Sequence, residues 1–444
     1  MQTDLELVIL LGTVVGTALV ARLTQLPITA LEIVAGIALV GLVGLRFPAE
    51  GQTLIIFGSL LIVFLAGLET NLAFLRTHLR KAFTLGLGGF LVPFAGLFAL
   101  FYLGLHAPLL LSIIGATAVA DTSISIVYTT LNQFELTDLP FGRLILASTL
   151  MVNLFEDFTV TTTTFLTAPG LLFTLGVLGA LLAASLLLPR LSRAVGGSGP
   201  PLFSNISTRA LLFSLAVLAA LSALVGVPGI LFVFLMGLMF SKFADDRFLA
   251  DVRKFGFALF VPLYFVAVGL RVDVGFVIAN LPVLGLIVGA ASGLKLAVNY
   301  PILQRWAGSR RALPVSVLMN TRLTSASVIL LLTVTLGLIT VAWYSLMISA
   351  VAVLALASSA ALRTFPSFSS PRAARALLGS TPVEASLDPV GRRGFPSPGL
   401  LARDGGPPRA EPVGLGRTVG PDPTPGFVPT VPPSATAALF PPGT

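Results

Sequence analysis

Apolar windows of about twenty residues recur along this chain, thirteen of them between residues 5 and 362. Each can cross a hydrocarbon layer as a helix. They run near 5–22, 28–45, 52–68, 82–104, 108–131, 140–167, 170–188, 209–226, 229–241, 255–270, 279–304, 312–336 and 340–362. Lipid offers the backbone no hydrogen-bond partners, so such segments cross it as helices, whose bonds are internal. The fold class expected is an all-α polytopic membrane protein, in keeping with 55% hydrophobic and 10% charged residues. There is no cysteine, which excludes disulfides and thiolate metal sites. The opening MQTDLELVIL carries acids but no Lys or Arg, unlike the basic start of a cleavable signal, and reads as part of the first span. His78 and His106 fall in predicted loops and read as solvated.

Loop charge sets the orientation. The loops that share a side with Arg76, Arg80 and Lys81 hold fifteen Lys and Arg in all, against Arg46 and Arg271 on the other side. The positive-inside rule then puts the N-terminus outside and the C-terminal tail in the cytoplasm. The remaining two basic residues before the tail, Lys295 and Arg322, fall within spans. From Arg363 the chain turns rich in Pro, Gly and Ser, so residues 363–444 are expected to be a disordered cytoplasmic tail beyond a transmembrane domain of residues 1–362.

Two short matches share one offset. Gly67–Leu68 in FLAGLETNL aligns with Gly269–Leu270 in FVAVGLRVDV, 202 residues later. The same offset lays Thr122-Ser123-Ile124-Ser125-Ile126 on Thr324-Ser325-Ala326-Ser327-Val328. An odd number of spans separates the corresponding helices. The halves, about 5–167 and 209–362, therefore have opposite orientation, the inverted-repeat plan of secondary transporters. GATAVADTSISIV and LMNTRLTSASVIL place hydroxyl residues and one charge each in mid-span. They read as two discontinuous helices, or else as intact helices whose hydroxyls bond back to their own carbonyls. Crossed half-helices bring positive ends together on one side and negative ends on the other. Asp121 is expected to neutralise the first and Arg322 the second.

Glu156 and Asp157 stand side by side in the middle of an apolar span, and Lys295 lies about 13 Å from the nearer end of its own. Charges at such depth are expensive and mark function by default. Adjacent helical positions point about 100° apart, so one lysine serves one of the two acids. The other is expected to face a wet cavity. Asn153 lies on the same face, and Thr122, Ser123 and Thr161 to Thr164 offer further oxygens. Hard oxygen ligands suit Na+, Li+ or K+. A buried carboxylate binds a proton or such a cation, and mutual exclusion at one site is antiport. Glu32, near the start of the second span, reads as either a funnel-lining acid or a solvated end charge.

FLAGLETNLAFLRTHLRKA, FVPLYFVAVGLRVDV, the hydroxyl-rich break with its Asp and the acid pair resemble the sodium/proton exchanger superfamily, closest to the bacterial NapA/NhaA-type antiporters. The resemblance spans residues 1 to about 362. It implies an NhaA-like fold of about thirteen helices, a homodimer, Asp157 as the acid that binds the transported Na+, and Glu156 as the partner of Lys295. Thr324 and Arg322 complete the second break, where many members carry an acid.

The reading that follows is secondary exchange of a monovalent cation, Na+ first, for protons by alternating access, electrogenic, in the inner (plasma) membrane. The partners expected are the cation, H+, the lipid bilayer and a second copy, with no nucleic acid and no cofactor. An organic-anion/sodium symporter of the same fold is the alternative, or an intramembrane aspartyl protease built on Asp121 and Asp157. The protease reading leaves Lys295 unexplained beside a dyad that must share one proton.

Overall fold

A computed structural model describes residues 2–45, 52–68, 72–137, 139–167 and 256–378, together with positions 233, 234, 237, 252 and 254. The described residues are helical throughout, joined by short turns. In chain order the helices are α1 (Gln2–Thr24), α2 (Ile28–Val43), α3 (Gln52–Leu68), α4 (Leu72–Ala99), α5 (Leu109–Ala120), α6 (Ile124–Gln133) and α7 (Pro140–Thr167). They continue with α8 (Val261–Leu270), α9 (Val274–Ala279), α10 (Leu281–Ala307), α11 (Ser309–Leu318), α12 (Thr324–Thr335), α13 (Val341–Arg363) and α14 (Pro371–Leu378). The expected spans 170–188, 209–226 and 229–241 lie outside the described residues, apart from Val233, Phe234 and Gly237.

Most boundaries follow from the sequence, and three depart from it. Helix α4 begins at Leu72, so Arg76, Arg80 and Lys81 ride on its first turns and are not in a loop. The expected span 279–304 is α10, preceded by the separate short helix α9, which Asp273 starts by accepting the Phe276 N–H at 2.9 Å. The third departure lies in the expected tail. Residues 366–368 make a 3-10 turn and Pro371–Leu378 a helix, with Phe368, Ala374 and Leu378 buried. Ser370 caps that helix through its hydroxyl, 3.3 Å from Ala373 N, and Pro371 takes the first helical position, where no N–H is needed. Proline-rich composition marked an end of the core, but three apolar residues, Phe368, Ala374 and Leu378, still bury a face.

The architecture is an inverted repeat of two crossed discontinuous helices, α5–α6 and α11–α12. Its halves meet where glycine removes the side chain. A Cβ on Gly36 of α2 would come within 2.2 Å of Val266 O on α8, and one on Gly269 within 2.1 Å of Ile33 O. A second contact of the same kind sets Gly237 against Phe64 O, at 2.2 Å from an added Cβ, with the Cα of Gly67 3.1 Å from it. Gly36 and Gly237 end the P-x8-G stretches of the two halves, and Gly67 and Gly269 begin the matched GL pairs. Helix α2 thus packs on α8, and the backbone at Gly237 on α3. Such small-residue crossings replace the hydrophobic drive that lipid cannot supply.

Candidate functional site

Both mid-span breaks are real, and each satisfies the backbone groups of the other. Helix α5 stops at Asp121 and α6 starts after Ser123; α11 stops at Met319 and α12 starts after Leu323. Thr122 donates its hydroxyl to Met319 O at 3.1 Å, and the Ser123 N–H donates to Thr321 O at 2.8 Å. The hydroxyls of Ser123 and Thr324 stand 3.0 Å apart. Intact helices with back-bonded hydroxyls are therefore ruled out at these two places. Four half-helix ends meet in the bundle interior, where Asp121, Thr122, Ser123 and Arg322 are fully buried.

The end charges are met, though not wholly as expected. Asp121 Oδ2 accepts from Ala326 N in the first turn of α12 at 3.4 Å, so its carboxylate does face a positive helix end. Asn153 of α7 holds the same group from the other side. With its amide nitrogen turned toward the acceptors, it donates to Asp121 Oδ1 at 3.1 Å and to Thr122 O at 3.0 Å. The negative end of α5 is met by Lys295, whose Nζ donates to Ala120 O at 2.6 Å and Asp121 O at 3.0 Å. Arg322 donates to Ala291 O on α10 at 2.7 Å, and its Nε and Nη1 are without a hydrogen-bond partner. The role expected of Arg322 is filled by Lys295.

This corrects the expected Glu156–Lys295 ion pair. Lys295 sits on the buried stripe of α10, with Ile287, Ala291, Asn299, Leu303 and Ala307 at four-residue steps, and that stripe aims it at the end of α5. The last carbonyls of a helix carry partial negative charge and lack intrahelical partners, so the ammonium settles there. Glu156 lies within electrostatic range of Asp157 and Lys295, and its carboxyl stands against that of Asp121 at hydrogen-bonding distance, a contact that takes one shared proton; its oxygens are otherwise without a hydrogen-bond partner. Asp157 is 3% exposed and its Oδ1 is likewise without one.

Asp157 instead faces a cavity with about 10 Å³ of room for a water-sized body. Ile62, Val63 and Ala66 of α3, Asn153, Phe234, and Thr324 and Ser325 of α12 line it. That is space for one water or one dehydrated ion. Thr161 is buried on α7, but neither it nor Thr162 or Thr163 lines this cavity, and the side chain of Thr164 lies outside the described residues. Fully ionised, the three acids Asp121, Glu156 and Asp157 outweigh the two bases Lys295 and Arg322 by one charge. One monovalent cation, or one proton, neutralises the set.

Some of this was not legible beforehand. Phe234 and the α3 residues close the cavity from elements far away in sequence, with no local signal. Glu32 fits neither expectation: it is 1% exposed, four residues from Gly36 on the α2 face that meets α8. Asn299 is fully buried one turn beyond Lys295, and Gly89 leaves room for its amide. Its four-residue spacing from Lys295 could have found it.

The family and the fold have known counterparts. The family profile described as "Sodium/hydrogen exchanger, transmembrane" matches residues 8–364. The chain is 26% identical over 293 residues to a Methanocaldococcus jannaschii protein named "Probable Na(+)/H(+) antiporter 3", covering 62% of this chain and 74% of that one. It is 26% identical over 282 residues to the "Na(+)/H(+) antiporter" of Enterococcus hirae, covering 60% and 72%. In structure it resembles the sodium proton antiporter MjNhaP1 of Methanocaldococcus jannaschii at pH 8, with a TM-score of 0.61 at 14% identity over 86% of this chain and 100% of that one. At that identity the likeness speaks for the fold.

Proposed function

The chain belongs to the sodium/hydrogen exchanger family, and we infer that it exchanges Na+ for H+ across a membrane as a multi-pass secondary antiporter. One observation carries the site assignment: a buried carboxylate, Asp157, on a cavity of single-ion size at the crossing of two broken helices. Asp157 takes Na+ or a proton, one excluding the other. Asn153 and Thr324, which share the cavity, supply neutral oxygens to a bare cation. Asp121 acts through Asn153 and Ala326, holding the two breaks in register beside the ion. Lys295 and Arg322 balance the charge of the acids, and Glu156 or Lys295 carries a second proton.

Two protons for one cation makes the cycle electrogenic. Alternating access then exposes the crossing to one side at a time. The loop charges favour an N-terminus outside and α14 in the cytoplasm, and the family resemblance favours a homodimer in the plasma membrane. The α1 face formed by Val8, Val15, Leu19 and Leu23 is exposed and suits lipid or a second copy. A symporter for an organic anion would need a pocket of some hundreds of cubic ångströms, which the Asp157 cavity is not.

Purified protein in liposomes with an internal pH dye tests this. Adding Na+ outside acid-loaded vesicles is expected to drive protons out. Li+ and K+ in parallel rank the cations. Proton movement with none of the three would overturn the reading.

A further inference from the structure

Helix α14 lies where the two discontinuous helices end. On one side Phe368 packs edge-on against Phe134, just beyond α6, with ring centroids 5.0 Å apart. Arg375 donates from Nε to Glu135 O at 3.1 Å, and its Nη1 stands 3.6 Å from Glu135 Oε2. On the other side Arg311, in the first turn of α11, donates to Leu377 O. Buried Ala374 and Leu378 form the inward face. One short segment therefore touches the outer ends of both half-helices, α6 and α11. Their inner ends are joined at the crossing, where the Ser123 N–H donates to Thr321 O. The two half-helices are tied at both ends, and only the outer tie is made by a segment that can come off.

We propose that residues 366–378 are a strap that restrains the α6 and α11 half-helices, so that releasing it speeds exchange. The ionic part of the outer tie is weak. The Arg375–Glu135 pair is 49% and 63% exposed, so water and salt screen it. The strap stands between the bundle and the chain that follows, so a change there can reach the crossing through it. It leaves the Asp157 cavity untouched, and its release should change turnover with little change in the apparent KM for Na+.

The test uses the full chain, and the natural absence of cysteine lets two spin labels report one distance. Labels at Gln133→Cys and Arg310→Cys, both exposed sites, read the gap between the α6 and α11 ends. The same protein in liposomes reads exchange. Arg375→Glu and Glu135→Arg, each alone, are expected to lengthen or broaden that distance and raise turnover two- to fivefold. The double exchange, which restores an opposite-charge pair, is expected to return both to the wild-type values. Unchanged distance and rate in the single variants would overturn the strap. So would a loss of rate that the double variant fails to repair, since that marks a merely structural contact. The rate arm rests on the antiport reading. If the wild-type chain exchanges nothing, that reading fails, and the distance arm decides the strap alone.

Discussion

At the first break the chain places Asp121 against the N–H of Ala326 on the facing half-helix; at the second it places Arg322, which turns away to Ala291 O on α10. The backbone interruptions correspond through the repeat, but their charges do not. An offset of 202 carries Asp121 onto Leu323 and Arg322 onto Ala120. It carries Glu156 and Asp157 onto Ser358 and Ser359, and Lys295 onto Pro93. The repeat supplies two crossed helices whose broken ends satisfy each other. The three acids, all from the first half, then turn the neighbourhood of that crossing into an acid site. On the proposed reading, the symmetric frame serves opening from either side and the asymmetric set of charges serves to hold one ion.

The sharpest way to break this contrast is to remove the acid on the cavity. Asp157→Asn is nearly isosteric and should abolish exchange of every cation in liposomes with the protein still folded by circular dichroism. Ser359→Ala, at the corresponding position of the other half, should leave exchange near normal. Near-normal transport in Asp157→Asn would end the assignment.

Next in size is the response to voltage. If two protons move for each Na+, one net charge crosses per cycle, worth about 2.3 kcal/mol per 100 mV. A potential of that size, clamped with potassium and valinomycin, should shift the equilibrium gradient roughly fifty-fold. A gradient that ignores the potential would rule out the electrogenic cycle.

Lys295 sharpens the contrast through stability. Lys295→Ala strips the two last carbonyls of α5 of a charged donor, a loss of about 1.5–3 kcal/mol for a charge-assisted bond. The detergent-solubilised protein should melt a few degrees lower. Because the ammonium is spent on carbonyls, adding Glu156→Ala should give close to the sum of the two single effects. A coupling well above 0.5 kcal/mol on the usual additivity standard would show that Glu156 and Lys295 pair after all.

The smallest effect is expected beyond the strap. A chain ending after Leu378 keeps every tie described here and should insert and transport like the full chain. A marked loss would show that residues 379–444 act on the transport cycle.

The amino-acid pattern alone determined a good deal. Apolar length fixed the membrane helices, because a backbone in lipid has no other solution. Two hydroxyl-rich stretches, each with a charge, fixed the positions of both breaks, and an acid pair in mid-span singled out α7 as the helix with buried acids. Those are properties of single segments, written in consecutive residues.

What only the tertiary structure decided is who meets whom. Lys295 was read as the partner of an acid because side-chain charges are visible in a sequence. The carbonyls at the end of α5 are not visible there, since every residue carries the same group and only a helix end leaves it bare. Glu32 read as a funnel-lining acid or a solvated end charge until the glycine-on-glycine contact of α2 and α8 closed over its face. The first turns of the presumed tail looked too rich in Pro, Gly and Ser to pack, yet Phe368 and Arg375 found partners just beyond α6, and the Leu377 carbonyl found one in Arg311 of α11. The cavity on Asp157 is the plainest case: its walls come from α3, α7, α12 and Phe234, which no local pattern joins, and its size was set when those elements were brought together.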